Sequence, residues 1–424
     1  MPNRIDVGGQ SPNVGVRLNR VFYLSALDQL IVSGSMFALN LAFIGFATPD
    51  AFGRFILVFA LSMLSFGAQN AVILTPLNVL LATASGQRRR LTLRMLSTLD
   101  SAVLALTSAV VVGLSALLGL PLLLCGLGGL LAFTNGMREF HRYLYLTNSE
   151  PLGLLSLNIT AFSCALAVTL GLSFARPLEE AALLGLIVGN LAGVALFRQP
   201  TFSALRRLPR MMRRYAPYWR KSRWALFGAG ITDAHLRLYV FAIELARGST
   251  ALGIIHAGRV LVNPVAMLAF AWGRAMRPVL AKQIADGDKR AALHTLIEGV
   301  AGLTAIGAVY ALLLNAAAPF LQNFIGGTGN LAFLEYLPLW GLFAVLGVPS
   351  ICISVYLQAA HRYRTLAMSM LGSVLISIAA LGALFFDAPL DWAIYSLIAG
   401  ELALLAILVA VCLPEALGMR EARA

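Results

Sequence analysis

Long, continuous apolar runs, separated only by short turns and basic clusters, constrain this chain more than any other feature. A bilayer core takes roughly 20 apolar residues per helical crossing. Twelve such segments can be laid along the 424 residues. A transmembrane β-barrel is excluded, because its strands would alternate polar and apolar residues over short stretches. Composition points the same way. The chain is 59% hydrophobic and 12% charged, with a mean hydropathy of +0.81, whereas a soluble domain carries about 25% charged residues. A water-soluble enzyme is excluded on this ground. The 38 glycines suit membrane helices that approach closely. The predicted fold class is all-α: a polytopic membrane protein of about twelve transmembrane helices in two six-helix lobes.

The first six segments fall near 21–46, 54–83, 95–118, 121–137, 151–174 and 180–197, and the second six near 224–246, 251–279, 292–318, 334–359, 366–386 and 392–413. Turn signals separate them, among them Thr48-Pro49-Asp50, Gly119-Leu120-Pro121 and Asp387-Ala388-Pro389. The expected organisation is a tail over 1–20, an N-lobe over 21–197, a basic interfacial linker over 198–223, a C-lobe over 224–413 and a second tail over 414–424. Of the 32 Lys and Arg residues, 26 fall in the two tails and in alternate loops, all on one side. Basic residues mark cytoplasmic loops, so both termini are expected in the cytoplasm. The net charge of +13 therefore reads as topology rather than as nucleic-acid binding. The opposite loops are short and leave no room for an extracytoplasmic domain. No GxxxxGK[ST] stretch occurs, which excludes ATP-driven transport within this chain. The four cysteines sit inside apolar runs, with neither CxxC nor metal spacing.

The linker reads RQPTFSALRRLPRMMRRYAPYWRKSR. Nine basic residues are interleaved with Tyr215, Tyr218 and Trp219, a composition suited to the membrane interface. It can serve either as a topology anchor between lobes or as a docking strip for anionic membrane lipids. An internal repeat supports the division into halves. Ala51-Phe52-Gly53 opens the second segment and Ala251-Leu252-Gly253 opens the eighth, offset by 200. Each segment then runs to a proline, Pro76 or Pro278, and a basic loop. Parallel six-helix repeats of this kind are a transporter architecture, with the substrate site between them.

Three stretches carry a family resemblance. Leu27-Asp28-Gln29-Leu30-Ile31-Val32-Ser33-Gly34-Ser35 resembles the first helix of the Wzx-type polysaccharide flippases of the multidrug/oligosaccharidyl-lipid/polysaccharide (MOP) exporter superfamily. Phe52-Gly53-Arg54-Phe55, running on to Gln69-Asn70-Ala71-Val72-Ile73-Leu74-Thr75-Pro76, resembles the second helix, and Leu252-Gly253-Ile254-Ile255-His256-Ala257-Gly258-Arg259 the eighth. The resemblance implies a MATE-like secondary transporter in the bacterial inner membrane. It would move undecaprenyl-diphosphate-linked oligosaccharide repeat units to the periplasmic leaflet by alternating access, for exopolysaccharide, O-antigen or capsule assembly. A polysaccharide polymerase and co-polymerase would be its partners.

Intramembrane charge is costly and so marks functional candidates. Arg237 and Arg259 lie on adjacent antiparallel segments at about the same depth, roughly 12–14 Å from the outer end at a rise of 1.5 Å per residue. Two guanidinium forks at one level suit capture of a diphosphate, and Arg274, nearer the cytoplasmic end, is a third candidate. The competing reading pairs Arg237 with Asp233 at i, i+4. Glu401 has no basic neighbour on its helix, and Asp233 is the second acid at this depth; either can carry a coupling H+ or Na+, and Glu401 can instead pair with Arg259. No other cofactor is expected. Gln69 and Asn70 are candidates for contacting sugar hydroxyls, or for hydrogen bonding between helices. His235 and His256 read as packing residues. A multidrug or metabolite exporter of the same superfamily is the alternative, although organic cations would call for acids in the cavity. A lipid II flippase is a third reading, but that group resembles fourteen helices with an extra lipid groove, against twelve expected here. A membrane polymerase or ligase would need a large outer loop with catalytic Arg and His, and the short outer loops contain no His. The chain is therefore expected not to be an enzyme.

Overall fold

The computed structural model describes residues 12–148, 150–197, 207–325 and 331–416, and these are helical, with no strand among them. α1 is Pro12–Phe46. α2 is Pro49–Gln69, continued through a five-residue π-turn, Asn70–Leu74, into Thr75–Thr83. α3 is Gly86–Leu117, α4 Leu122–Thr147, α5 Pro151–Leu172 and α6 Leu178–Leu196. The helical stretch Leu208–Ala285 breaks at Gly248, whose φ of 81° and ψ of 175° are open to glycine. This gives α7 (208–247) and α8 (249–285). α9 is Lys289–Ala316, α10 Leu337–Ala359, α11 Tyr363–Leu381 and α12 Trp392–Ala416.

The helix boundaries follow local chemistry. Thr48 caps α2, its hydroxyl accepting from the Ala51 amide at 3.2 Å, with Pro49 in the first turn. Gly119, at φ 76°, makes the turn between α3 and α4. Among the described residues nine helices are long and apolar enough to cross a membrane. One of these, Asp233–Ala285, contains the Gly248 reversal and therefore crosses twice; α1 adds the shorter apolar stretch Leu30–Phe46. α4 completes the set of twelve and carries Arg138, Glu139 and Arg142 inside its helix.

Several boundaries differ from the sequence expectation. α3 begins at Gly86 rather than near residue 95, so the basic stretch 87–90 expected as a loop is helix, and α8 runs on to Ala285 rather than ending near residue 279. α1 begins at Pro12, so residues 12–20 are helix rather than tail. α4 runs to Thr147 instead of ending near residue 137. From Leu208 onward the expected separate linker is the opening of α7. The expected tails over 1–11 and 417–424, and linker residues 198–206, lie outside the described residues.

The turns near 84, 149, 287 and 361 lie at one end of the bundle, called here the basic end. Those near 47, 119, 175, 248 and 388 lie at the neutral end. Helices α1–α6 pack on one another, and α7–α12 do likewise; every substantial contact between the two halves is made by residues 208–285. Small residues set the close approaches. A Cβ at Gly189 would lie 2.2 Å from the Ala161 carbonyl oxygen, which fixes how tightly α5 and α6 meet. Between the halves the repeat-related glycines pack reciprocally. A Cβ on Gly53 would fall 1.8 Å from the Ser249 oxygen, and one on Gly253 1.9 Å from the Pro49 oxygen. Each glycine thus abuts the carbonyl four residues before the other, at the neutral end. Phe43, stacked on Phe52 and Phe55, fills the space beside them.

Candidate functional site

The α7–α8 hairpin brings the predicted arginines together. Arg259 donates to the Leu236 carbonyl at 2.9 Å, and its guanidinium lies over the Tyr239 ring at 4.8 Å and the Trp340 ring at 5.7 Å. The Tyr239 hydroxyl is 2.6 Å from His256 Nδ1, and the two rings stack. Arg237 and Arg259 both act electrostatically on Tyr239 and on His256. They therefore flank one ring pair, buried on the Tyr239 side, which the edge of Phe52 from α2 also contacts. Arg237 is committed to Asp233, Nε to Oδ1 at 3.2 Å. Asp233 in turn occupies the notch left by Gly67 of α2, where a Cβ would lie 1.9 Å from its Oδ2. Among the described residues no carboxylate lies within ion-pair distance of Arg259. Rings and a carbonyl hold it instead.

A second constellation sits in the first half toward the basic end, and the sequence reading missed it by treating residues 138–150 as a loop. Fully buried Asp28 of α1 accepts from Arg142 Nη2 at 2.8 Å and Nε at 3.1 Å, and also from the Asn158 amide. Glu139 accepts from Arg142 at 3.1 Å and from Arg138 at 2.9 Å. Arg138 also bonds Asn135 at 3.0 Å and covers the Phe162 ring at 5.1 Å. Two carboxylates thus balance two guanidinium groups beside a cavity of about 220 Å³, lined also by Met36, Met63 and Phe66. Arg142→Met would leave Asp28 buried without its cation, which costs about 3–5 kcal/mol. It is expected to unfold well below the wild type in detergent, and Asp28→Asn with Arg142→Gln to recover most of the loss. Equal melting of Arg142→Met and wild type would show the network to be idle.

Arg274 of α8 is exposed although the helix runs on for about three turns beyond it, and it lies within electrostatic range of Arg142 across the halves. Gln69 does not reach the cavity. It is fully buried, and its amide donates at 2.8 Å both to Asp100 Oδ1 and to the Gly136 carbonyl. It holds α2, α3 and α4 together, and sugar contact by this residue is set aside. Asn70 opens the π-turn and faces the Tyr143 hydroxyl at 3.5 Å. Glu401 does not pair with Arg259. Its Oε2 lies 3.3 Å from His235 Nε2, and His235 Nδ1 is 3.3 Å from Ser373 Oγ, all three residues being buried. His235 is 166 positions away in sequence, so only the folded chain shows this partner. Asp233, the other acid considered for an ion, is held by Arg237.

No family model matches the chain, and no curated protein does. Solved structures do. An inward closed structure of the lipid II flippase MurJ superposes with a TM-score of 0.68 at 12% identity, covering 92% of this chain and 87% of that one. An inward-facing multidrug resistance MATE transporter of the MOP superfamily gives 0.63 at 13%, covering 93% and 96%. The chain has a MATE-like fold. A point mutant of the Vibrio cholerae MATE transporter VcmN gives 0.56 at 14% identity over 97% and 99% of the two chains. Within this MATE-like frame the α7–α8 hairpin, with Arg237 and Arg259, lies where the two halves meet.

Proposed function

We propose that the chain is a secondary transporter that flips an anionic, diphosphate-linked lipid across the membrane by alternating access, with an undecaprenyl-linked oligosaccharide as the substrate. Arg259 carries the proposal: a guanidinium in a membrane-spanning helix, on the hairpin that packs against the first half, braced by two aromatic faces and lacking a carboxylate partner among the described residues. An intramembrane cation without a counter-charge calls for an anionic ligand, and a forked one suits phosphate oxygens. Arg237 stands beside it, paired with Asp233, and Arg274 lies further along α8 toward the basic end. The fold likeness also suits a multidrug exporter, but an organic cation would call for a free acid, and Arg259 places a cation on the α7–α8 hairpin instead.

With the basic end in the cytoplasm, the packing of Gly53 against Gly253 seals the periplasmic side, and the lipid head enters from within. The inner-membrane location and a handover to polymerase and co-polymerase follow from that reading. For the driving force, buried Glu401 with His235 suits a proton better than sodium, because a ring nitrogen occupies the position where a hard cation would want oxygen.

Reconstitution tests this. Vesicles carrying the protein and a fluorescent undecaprenyl-diphosphate sugar are expected to lose label from the inner leaflet. Glu401→Gln should abolish the response to an imposed pH gradient. Efflux of organic cations with no movement of the lipid would overturn the flippase reading.

A further inference from the structure

The first turns of α7 do more than join the halves. Leu208, Met211, Tyr215, Tyr218 and Ser222 recur at alternating steps of three and four, which places them on one helix stripe. Met211 and Tyr215 are buried in a cluster with Ile73, Leu74 and Leu77 of α2 and Phe140 of α4. Tyr215 also donates its hydroxyl to the Val72 carbonyl at 2.5 Å. That carbonyl has a particular need. In a regular helix it would accept from residue 76, which is Pro76 and has no N–H to give. The π-turn Asn70–Leu74 lies at this point. One residue of α7 thus stitches the second half of the chain to the irregular point of α2.

The opposite face carries Arg210, Arg213 and Arg214, all exposed. Exposed Met212 and Trp219 flank them. No acidic residue occurs between residues 200 and 232 in this segment, nor between Asp50 and Asp100 in the α2–α3 part of the chain it packs on, and Glu139 beside Phe140 on α4 is already paired with Arg138 and Arg142. Arg88 and Arg90 add exposed charge at the same end of the bundle. The segment therefore presents positive charge that its own surroundings leave unbalanced, edged by the apolar and aromatic residues that sit at headgroup depth. Free phosphate offers the same chemistry, but it does not satisfy Met212 and Trp219.

We infer that the arginine face of residues 208–223 docks on anionic phospholipid headgroups, and that this docking clamps the Tyr215–Val72 stitch and so controls opening at the basic end. Docking of this kind operates whichever molecule is transported.

Hydrogen exchange in nanodiscs tests it, with no lipid-linked sugar present. In discs containing about 30% phosphatidylglycerol, amides of 208–223 and of 70–76 are expected to exchange at least tenfold more slowly than in phosphatidylcholine alone. Each basic contact near such a surface is worth about 1 kcal/mol, so three suffice for that factor. Arg210→Gln with Arg213→Gln and Arg214→Gln should remove the lipid dependence from both segments. Tyr215→Phe should keep it at 208–223 and lose it at 70–76. Identical exchange of the wild type in both lipids would overturn the inference. So would retention of the effect by the triple variant, or equal protection by inorganic phosphate in phosphatidylcholine discs.

Discussion

Replacing Arg237 and Arg259 together by alanine is expected to reduce lipid flipping in reconstituted vesicles by 100-fold or more, with the folded protein still recovered. A hydrogen bond to a charged group contributes about 1.5–3 kcal/mol, so two guanidinium groups gripping one diphosphate account for at least that factor. The single variants separate the roles. Arg259 is held by ring faces and a carbonyl, so Arg259→Lys keeps the charge but loses the fork and the stacking, and a loss of about tenfold is expected. Arg237 is paired with Asp233, so Arg237→Ala alone also uncovers a carboxylate. The variant that decides is Asp233→Asn with Arg237→Gln, which removes both charges and keeps a hydrogen-bonding pair. If Arg237 only neutralises Asp233, this variant transports normally. If Arg237 binds the substrate, it fails as badly as Arg237→Ala.

The fold was legible in the sequence because each crossing must be apolar over a bilayer's thickness, and a lipid-exposed helix cannot disguise that pattern. The turns were legible for local reasons. Thr48-Pro49 caps a helix and Gly119 supplies a left-handed turn, whatever the rest of the chain does. α4 was misread at its basic half because Arg138, Glu139 and Arg142 resemble a loop when counted as charges. In the folded chain they neutralise one another and Asp28, which lies 114 residues away from Arg142. A local signal was available: the acid at 139 stands three residues from Arg142, which is the spacing of paired side chains on a helix. The level shared by Arg237 and Arg259 could be derived because their helices are sequence neighbours joined at Gly248. The partners of Glu401 and Arg259 could not, since His235 and Trp340 reach them from distant segments and helix order in a bundle is not written in periodicity. Gln69 illustrates the remaining ambiguity. A polar residue in an apolar helix marks an inward face, and the same face serves a substrate or another helix.

Filling the contact at the neutral end gives the second large effect. Gly253→Leu is expected to hold that end open and to abolish transport. A Cβ there would stand 1.9 Å from the Pro49 oxygen and 3.1 Å from the Gly53 nitrogen. Both are backbone atoms, which cannot swing aside as a side chain would. Overpacking of this kind costs typically 1–3 kcal/mol or more, and it falls only on the conformation in which the halves touch. At about 3 kcal/mol the closed form becomes roughly 100-fold rarer relative to the open one. Because the contact is reciprocal, Gly53→Leu is expected to behave in the same way, its Cβ meeting the Ser249 oxygen at 1.8 Å. Gly302→Leu is the control, since a Cβ there meets nothing within 4 Å. The measurement is labelling of an Ile254→Cys background, beside the seal, with an impermeant maleimide applied from the neutral side. Labelling should be slow in that background alone and with Gly302→Leu added, and fast with either seal substitution. Seal variants that label slowly and still transport would show that the two halves part elsewhere, and that the glycine pair only sets how closely two static helices pack.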